Sequence, residues 1–270
     1  MNMRIGSRDF DTEHQTYVMG ILNVTPDSFS DGGKYNHMDA ALFHAEKMIR
    51  EGADIIDVGG ESTRPGYTEI TWQEETERVV PVIEALTERF ETPVSVDTYK
   101  SKVAAAAIQA GAGLINDIWG MKADPEMAHV AAGTGVACCL MHNRKEAVYQ
   151  DFQRELTADL QECITIALKA GVRRDRILLD PGVGFGKTHE MNLQTIAHLE
   201  TVCNMGFPVL LGTSRKSVIG LTLDLPSDQR LEGTLATTVI GVLKGCAFVR
   251  VHDVKENKRA IQMTKAIMGW

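Results

Sequence analysis

Along this chain a helix-like stretch repeatedly ends at a glycine, and an apolar, β-rich run follows within a few residues. The pattern occurs at Gly52 before Asp54–Val58, at Gly111 before Leu114 and Ile115, and at Gly171 before Ile177. It recurs at Gly206 before Pro208 and at Gly245 before Cys246. Glycine ends helices because it enters the left-handed region without a Cβ clash. The runs that follow lack clean alternation, as strands covered on both faces of a parallel sheet do. Counting every such run predicts about eight strands. They are Tyr17–Leu22, Asp54–Val58, Pro93–Val96, Leu114–Asn116, Gly135–Leu140, Arg176–Leu179, Val209–Gly212 and Ala247–Val251. The segments between them read as helices. The clearest is Asp151–Lys169, where Leu156, Leu160, Cys163, Ile164 and Ala167 form one apolar stripe. Pro81, inside the helical stretch Thr71–Phe90, predicts a kink or a break. Repeated β/α units without a linker point to an α/β fold, a single (β/α)8 TIM barrel, with an open doubly wound sheet as the fallback. The expected division is an N-terminal extension over 1–15 and one barrel domain over 16–270.

Composition narrows the function classes. The net charge is −8, and no broad basic face is visible, which argues against nucleic acid as a partner. The most apolar window, Gly233–Val251, is broken by Lys244 and Arg250, so no membrane span is expected. Met1–Gln15 is polar and acidic and does not read as a signal peptide. Five cysteines, an odd number, fit reduced thiols in a cytoplasmic protein.

The predicted strands end in hydrogen-bonding side chains: Asn23, Asp57, Asp97, Asn116, His142, Asp180, Thr213, Arg250 and His252. Any one of them has a plain reading as a cap or turn residue. Together, at the end of a barrel where active sites are built, they predict a polar, mostly acidic floor with cations at one side. Arg250 and His252 share one side of the last strand and suit a phosphate or pyrophosphate group. Thr213-Ser-Arg-Lys-Ser217 adds cations and hydroxyls in the quarter where barrels often bind phosphate. Asp97, Asn116 and Asp180 would be satisfied by a flat heterocycle carrying amino and ring N–H groups, by a metal, or by a sugar.

The loops Asn23–Lys34 and Gly59–Tyr67 leave the same face and read as lids. Two look-alikes are set aside. Pro181-Gly-Val-Gly-Phe-Gly-Lys187-Thr188 begins with proline where a P-loop has glycine. Cys138-Cys139 has no second Cys or His pair at metal-ligand spacing and reads as strand core.

Several motifs resemble one family in order along the chain. Gly20-Ile-Leu-Asn-Val-Thr-Pro-Asp-Ser-Phe-Ser-Asp-Gly-Gly33 is similar to the first signature of dihydropteroate synthases, and Asp54-Ile-Ile-Asp-Val-Gly-Gly-Glu-Ser-Thr-Arg-Pro-Gly66 to the second. Asp180-Pro-Gly-Val-Gly-Phe-Gly-Lys187, Gly212-Thr-Ser-Arg-Lys-Ser217 and Arg250-Val-His-Asp253 also match. The resemblance runs from about Val18 to the C-terminus and implies a (β/α)8 barrel. It implies condensation of 6-hydroxymethyl-7,8-dihydropterin diphosphate with p-aminobenzoate, giving 7,8-dihydropteroate and pyrophosphate, with Mg²⁺ accompanying the diphosphate. It further implies that Asp97, Asn116, Asp180 and Lys216 hold the pterin edge, and that Arg250 covers the pterin face and reaches the diphosphate. Asn23 and His252 resemble diphosphate ligands, Asn23 standing next to Mg²⁺. Thr63, Pro65, Phe185, Lys216 and Ser217 resemble the aminobenzoate pocket. Asp57, Met141 and Gly212 would line the pterin cavity, and Arg64 falls in the second lid. Sulfonamide binding and a homodimer are implied as well.

The expected mechanism is substitution with early departure of the diphosphate. Mg²⁺, Asn23, Arg250 and His252 would stabilise the leaving charge, and Asp31 from the first lid the developing cation. Asp31, Lys216, Arg250 and His252 are therefore the expected catalytic set. The rival readings are a methyltetrahydrofolate–corrinoid methyltransferase on a similar barrel, a glycosidase using Asp57 and Asp180, and a pterin-binding protein without activity.

Overall fold

The computed structural model describes residues 2–25, 34–61 and 69–270. The chain opens with an antiparallel hairpin, β1 (Asn2–Ile5) and β2 (Arg8–Asp11). Parallel strands and helices then alternate. They are β3 (Tyr17–Asn23), α1 (Lys34–Arg50), β4 (Ile55–Gly59), α2 (Trp72–Arg89), β5 (Val94–Asp97), α3 (Ser101–Gln109), β6 (Leu114–Asp117), α4 (Glu126–Thr134), β7 (Ala137–Met141) and α5 (Phe152–Ala170). The second half holds β8 (Ile177–Asp180), α6 (His189–Ala197), α7 (Glu200–Cys203), β9 (Leu210–Leu211), α8 (Ser217–Leu223), α9 (Leu231–Leu243), β10 (Phe248–Val251) and α10 (Val254–Met268). The eight-stranded sheet runs β8-β7-β6-β5-β4-β3-β10-β9. A parallel bridge from Leu179 to Val209 joins its two ends, so the predicted TIM barrel is present and nearly closed.

Local chemistry explains the elements. Gly52, Gly111, Gly171, Gly206 and Gly245 all take positive φ, as their place after a helix requires. At Gly171 the backbone N–H donates to Ala167 and Leu168 carbonyls and ends α5. At the other end Asp151 accepts from the Arg154 N–H, and the stripe from Leu156 to Ala167 is buried against the sheet.

Two expectations need correction. Helix α2 passes through Pro81 without a break. Pro81 lies on the exposed face, and the carbonyl it leaves without a donor belongs to Glu77, also exposed, where water can satisfy it. Six of the eight barrel strands also end one residue later than the apolar runs do, while β9 ends one residue earlier, at Leu211, and β10 ends at Val251 as expected. Pairing continues through the polar residues, with Gly59 opposite Asp97, Asp97 opposite Asn116, and Met141 opposite Asp180.

The N-terminal segment, read from sequence as a polar extension, carries three apolar residues that its charges disguise. Met3, Ile5 and Phe10 are buried among Met19, Ile55, Leu114, Ala137, Cys139, Leu178, Leu210 and Phe248. The hairpin therefore seals the end of the barrel where the strands begin. The Phe10 ring meets Tyr17 edge-on, with centroids 4.8 Å apart. Phe10→Ala should cost about 3–5 kcal/mol of stability by equilibrium denaturation, while the opposite end of the barrel keeps its ligands. A loss below about 1 kcal/mol would mean that the hairpin is not part of the core.

Candidate active site

Side chains on a strand point alternately to opposite faces, and this alternation sorts the polar strand ends. Met19, Ile55, Leu114, Cys139, Leu178, Leu210 and Phe248 face the barrel interior in one cluster, with buried Ser95 completing the circuit on β5. Two residues further along the same strands stand Ile21, Asp57, Asn116, Met141, Asp180, Gly212, Arg250 and, on β5, Asp97. These form a polar floor at the end of the barrel where the strands finish. His142 and Thr213 have the opposite parity and turn into the helical layer, following Leu140 and Leu211. His142 binds Asp159 of α5, and Thr213 pairs with Thr237 of α9 at 2.7 Å.

Arg250 organises the floor. Its Nε donates to Asp57 Oδ2 and its Nη2 to Asp97 Oδ2, both at 2.6 Å. Asn116 Nδ2 donates to the same Asp57 oxygen at 3.1 Å. One guanidinium thus ties β10 to β4 and β5 across the barrel mouth. Burial pushes Asp97 up to about 7; Arg250 opposes that shift and Asp57 adds to it. Burial works against the charge on Arg250, but Asp57 and Asp97 hold its pKa above the ordinary arginine range. The other oxygen of each carboxylate, Asp57 Oδ1 and Asp97 Oδ1, is buried without a hydrogen-bond partner. Acceptors left in that condition cost free energy until a donor reaches them.

The other side of the floor is built by two loops. After β8, burial raises the pKa of Asp180, whose Oδ1 accepts from the Gly182 N–H at 2.7 Å. After β9, Lys216 donates to the Val183 carbonyl at 2.6 Å and lies 4.7 Å from the centre of the Phe185 ring. Burial pushes Lys216 down to about 8, against the pull of Asp180. Gly212 supplies the space between them: a Cβ there would stand 3.6 Å from Asp180 Oδ2 and from Lys216 Nζ. Ser217 opens α8 on the exposed rim. His252 follows β10, with its Nδ1 3.0 Å from Ser214 Oγ. Ser214 lay inside a quoted motif without a role; its hydroxyl orients His252 by accepting from the His252 N–H at 3.1 Å.

Asn23 ends β3 beside Gly59, where a Cβ would come within 3.5 Å of Asn23 Oδ1 and 3.6 Å of Asp97 Cβ. Among the described residues no group of three His, Cys, Asp or Glu side chains is arranged to hold a metal ion. Asp31, Thr63, Arg64 and Pro65, and most of both lids, lie outside the described residues. The floor thus combines hydrogen-bond acceptors for a flat polar ring, cations at one edge, and an aromatic ring beside Lys216.

Known proteins resemble this chain over nearly its whole length. The model of the pterin binding enzyme family matches residues 19–252. A dihydropteroate synthase of Clostridium beijerinckii is 60% identical over 267 residues, covering 98% of this chain and 99% of that protein. The solved dihydropteroate synthase of Clostridium difficile, in the presence of pteroic acid, superposes with a TM-score of 0.94 at 49% identity, covering 96% of this chain and 98% of that one. That of Xanthomonas albilineans with 4-aminobenzoic acid gives 0.95 at 42% identity, covering 100% and 98%. With sequence, fold and floor in agreement, the chain belongs to the pterin binding enzymes and, among them, to the dihydropteroate synthases.

Proposed function

We propose that this chain joins 6-hydroxymethyl-7,8-dihydropterin diphosphate to p-aminobenzoate, releasing pyrophosphate, and that the barrel floor holds the pterin. The observation that carries this reading is the pair of buried, unpartnered acceptors, Asp57 Oδ1 and Asp97 Oδ1. A pterin brings amino and ring N–H donors on one edge, and an acceptor edge that Lys216 can serve. Asp180, Asn116, Met141 and Gly212 complete the floor. Arg250 covers the ring and, with His252 and Asn23, meets the diphosphate. Phe185, Lys216, Ser217, Thr63 and Pro65 receive the aminobenzoate, with Arg64 in the lid above. Sulfonamides, which share the shape of p-aminobenzoate, occupy that same pocket.

Asn23 fits a place beside Mg²⁺. Magnesium keeps several waters and takes few protein oxygens alongside substrate phosphates, so one amide oxygen near the diphosphate suits it better than a closed cage. The ion, when bound, supplies charge to the leaving group. The chain's own residues do the rest. Arg250 and His252 stabilise the departing diphosphate. Asp31 and the acidic floor favour positive charge on the pterin methylene. The lids exclude water, which would otherwise capture the cation. A neutral arylamine needs no strong base to attack.

The reading also includes a homodimer. Leu221, Leu243, Met263 and Ile267 stand exposed on α8, α9 and α10, apolar side chains of the kind that a second copy would cover. Light scattering should give twice the chain mass; a monomer at micromolar concentration would reject it. The chain is placed in the cytoplasm, where its free cysteines stay reduced, and cell fractionation tests this. Among the described residues no helix is long and apolar enough to cross a membrane.

Pyrophosphate should appear from the pterin diphosphate and Mg²⁺ only when p-aminobenzoate is added, in step with dihydropteroate. Asp31→Ala should lower that turnover by a hundredfold or more, on the order expected for loss of one electrostatic stabiliser, with pterin affinity nearly intact. Tight pterin binding without release would shift the reading to a methyltransferase or an inactive binder; unchanged turnover in the variant would remove Asp31 from the mechanism. Protonation turns one oxygen of Asp97 into a donor, so the carboxyl meets a row of N–H groups well only as a carboxylate. Since burial holds it near 7, the affinity for the unphosphorylated pterin alcohol should fall about tenfold from about pH 8 to about pH 6. Calorimetry that finds a flat affinity over that range would take Asp97 out of the contact.

A further inference from the structure

The loop between β8 and α6 contains glycine at every second position. Gly182, Gly184 and Gly186 have φ of 69°, 89° and 54°. No side chain could replace the outer two without collision, since a Cβ would fall 1.9 Å from the His142 carbonyl and 2.4 Å from the Arg144 carbonyl. A loop this rich in glycine loses much entropy on ordering and needs external anchors. Tyr149 and Asn192 give two, binding the Gly186 carbonyl at 2.7 Å and the Gly184 N–H at 2.6 Å.

The third anchor is Lys187, the residue set aside with the P-loop look-alike. Burial pulls its pKa down to about 7 against the pull of Asp180, and in its charged form its three N–H donors meet three acceptors: the Gly182 carbonyl at 2.8 Å, the Phe185 carbonyl at 3.0 Å and His142 Nδ1 at 2.8 Å. His142 Nδ1 can accept because Nε2 carries the proton toward Asp159 Oδ2, 3.1 Å away. Arg144 holds that carboxylate through Nε at 2.6 Å and Nη2 at 3.1 Å. Burial pushes His142 down to about 3, so the ring is neutral, as the arrangement requires. Lys216 grips the same loop from the barrel side through the Val183 carbonyl. Two lysines thus clamp consecutive carbonyls from opposite sides, and the Phe185 ring emerges next to Lys216.

We infer that Lys187, oriented by His142 and Asp159, is a positioning residue for the second substrate, fixing the β8–α6 loop so that Phe185 and Lys216 present a formed pocket to the aromatic amine. The inference rests on the proposed synthase reaction and adds a residue to it. Asp57, Asp97, Asn116 and Arg250 hold one another without this clamp, whereas Asp180 and Lys216 share the loop through the Gly182 N–H and the Val183 carbonyl.

The test uses the full chain and begins with wild-type turnover; if that is absent, the synthase reading fails and the positioning role has no reaction to serve. With activity in hand, Lys187→Met and Asp159→Asn are compared by steady-state kinetics and by calorimetry with the pterin diphosphate. Asp159→Asn keeps the volume and an amide oxygen that can accept from His142 Nε2, but it removes the negative charge that holds Arg144 and favours the Nε2–H tautomer, which loosens the imidazole's hold on Lys187. Each variant should raise the KM for p-aminobenzoate about tenfold, the size expected for losing a hydrogen bond to a charged group, with a clearly smaller loss of pterin affinity, since the half of the floor around Arg250 does not touch the loop. In the Lys187→Met background, Asp159→Asn should add nothing. If Lys187→Met does not fold, the KM split in Asp159→Asn decides alone. An unchanged amine KM, or equal losses for both substrates, overturns the inference.

Discussion

A side chain on a barrel strand points either into the barrel or out to the helices, and that choice governs most of this molecule. The inward positions near the strand starts are apolar and fill the barrel. Two residues later the same parity delivers carboxylates, an amide and a guanidinium to one surface. A shift of one residue in any strand would send its functional group into the helical layer and an aliphatic side chain into the site. His142 and Thr213 show the other parity directly, for they end in contacts with α5 and α9. The register is held by the apolar layer beneath, so core and site are specified by one periodicity.

The charge balance of the floor follows from its depth. Asp57 is fully buried and Asp97 nearly so, and Arg250 is the cation that bridges them. Removing ions from water is costly, and the fork recovers part of that cost through charge-assisted hydrogen bonds. It leaves one oxygen on each carboxylate unserved. Within the chain these two oxygens have no donor, so any N–H group that reaches them adds to local stability.

Much of this was legible in the sequence, for stated reasons. Glycine followed by an apolar run marks the β/α repeat, and the motifs around Asp57, Asp180, Lys216 and Arg250 mark the floor. Six strand ends were read one residue short because hydrophobicity stops where polar inward residues begin, whereas backbone pairing does not. The roles of His142 and Lys187 were hidden because they depend on strand parity and on backbone carbonyls, neither of which residue types reveal. Pro81 was misread because the cost of a helical proline depends on which face its unpaired carbonyl meets. The hairpin was missed because Met3, Ile5 and Phe10 are separated by charged residues and a turn, so no apolar run forms.

That hairpin ties the two ends of the chain together. Phe10 lies 5.6 Å from the ring of Phe248 on the last strand, and the Arg4 carbonyl accepts from Arg176 Nη1. The hairpin meets Tyr17, Met19, Ile55 and Leu114 from the first half of the chain, but its contact with Phe248 must wait for the last strand. The Phe10–Phe248 contact has nearly the largest sequence separation the chain allows, and its closure entropy is met late. Until β10 arrives, Phe10 stays partly exposed beside an open sheet edge, the kind of surface on which folding intermediates associate. Cooperative closure of the barrel therefore belongs to the finished chain.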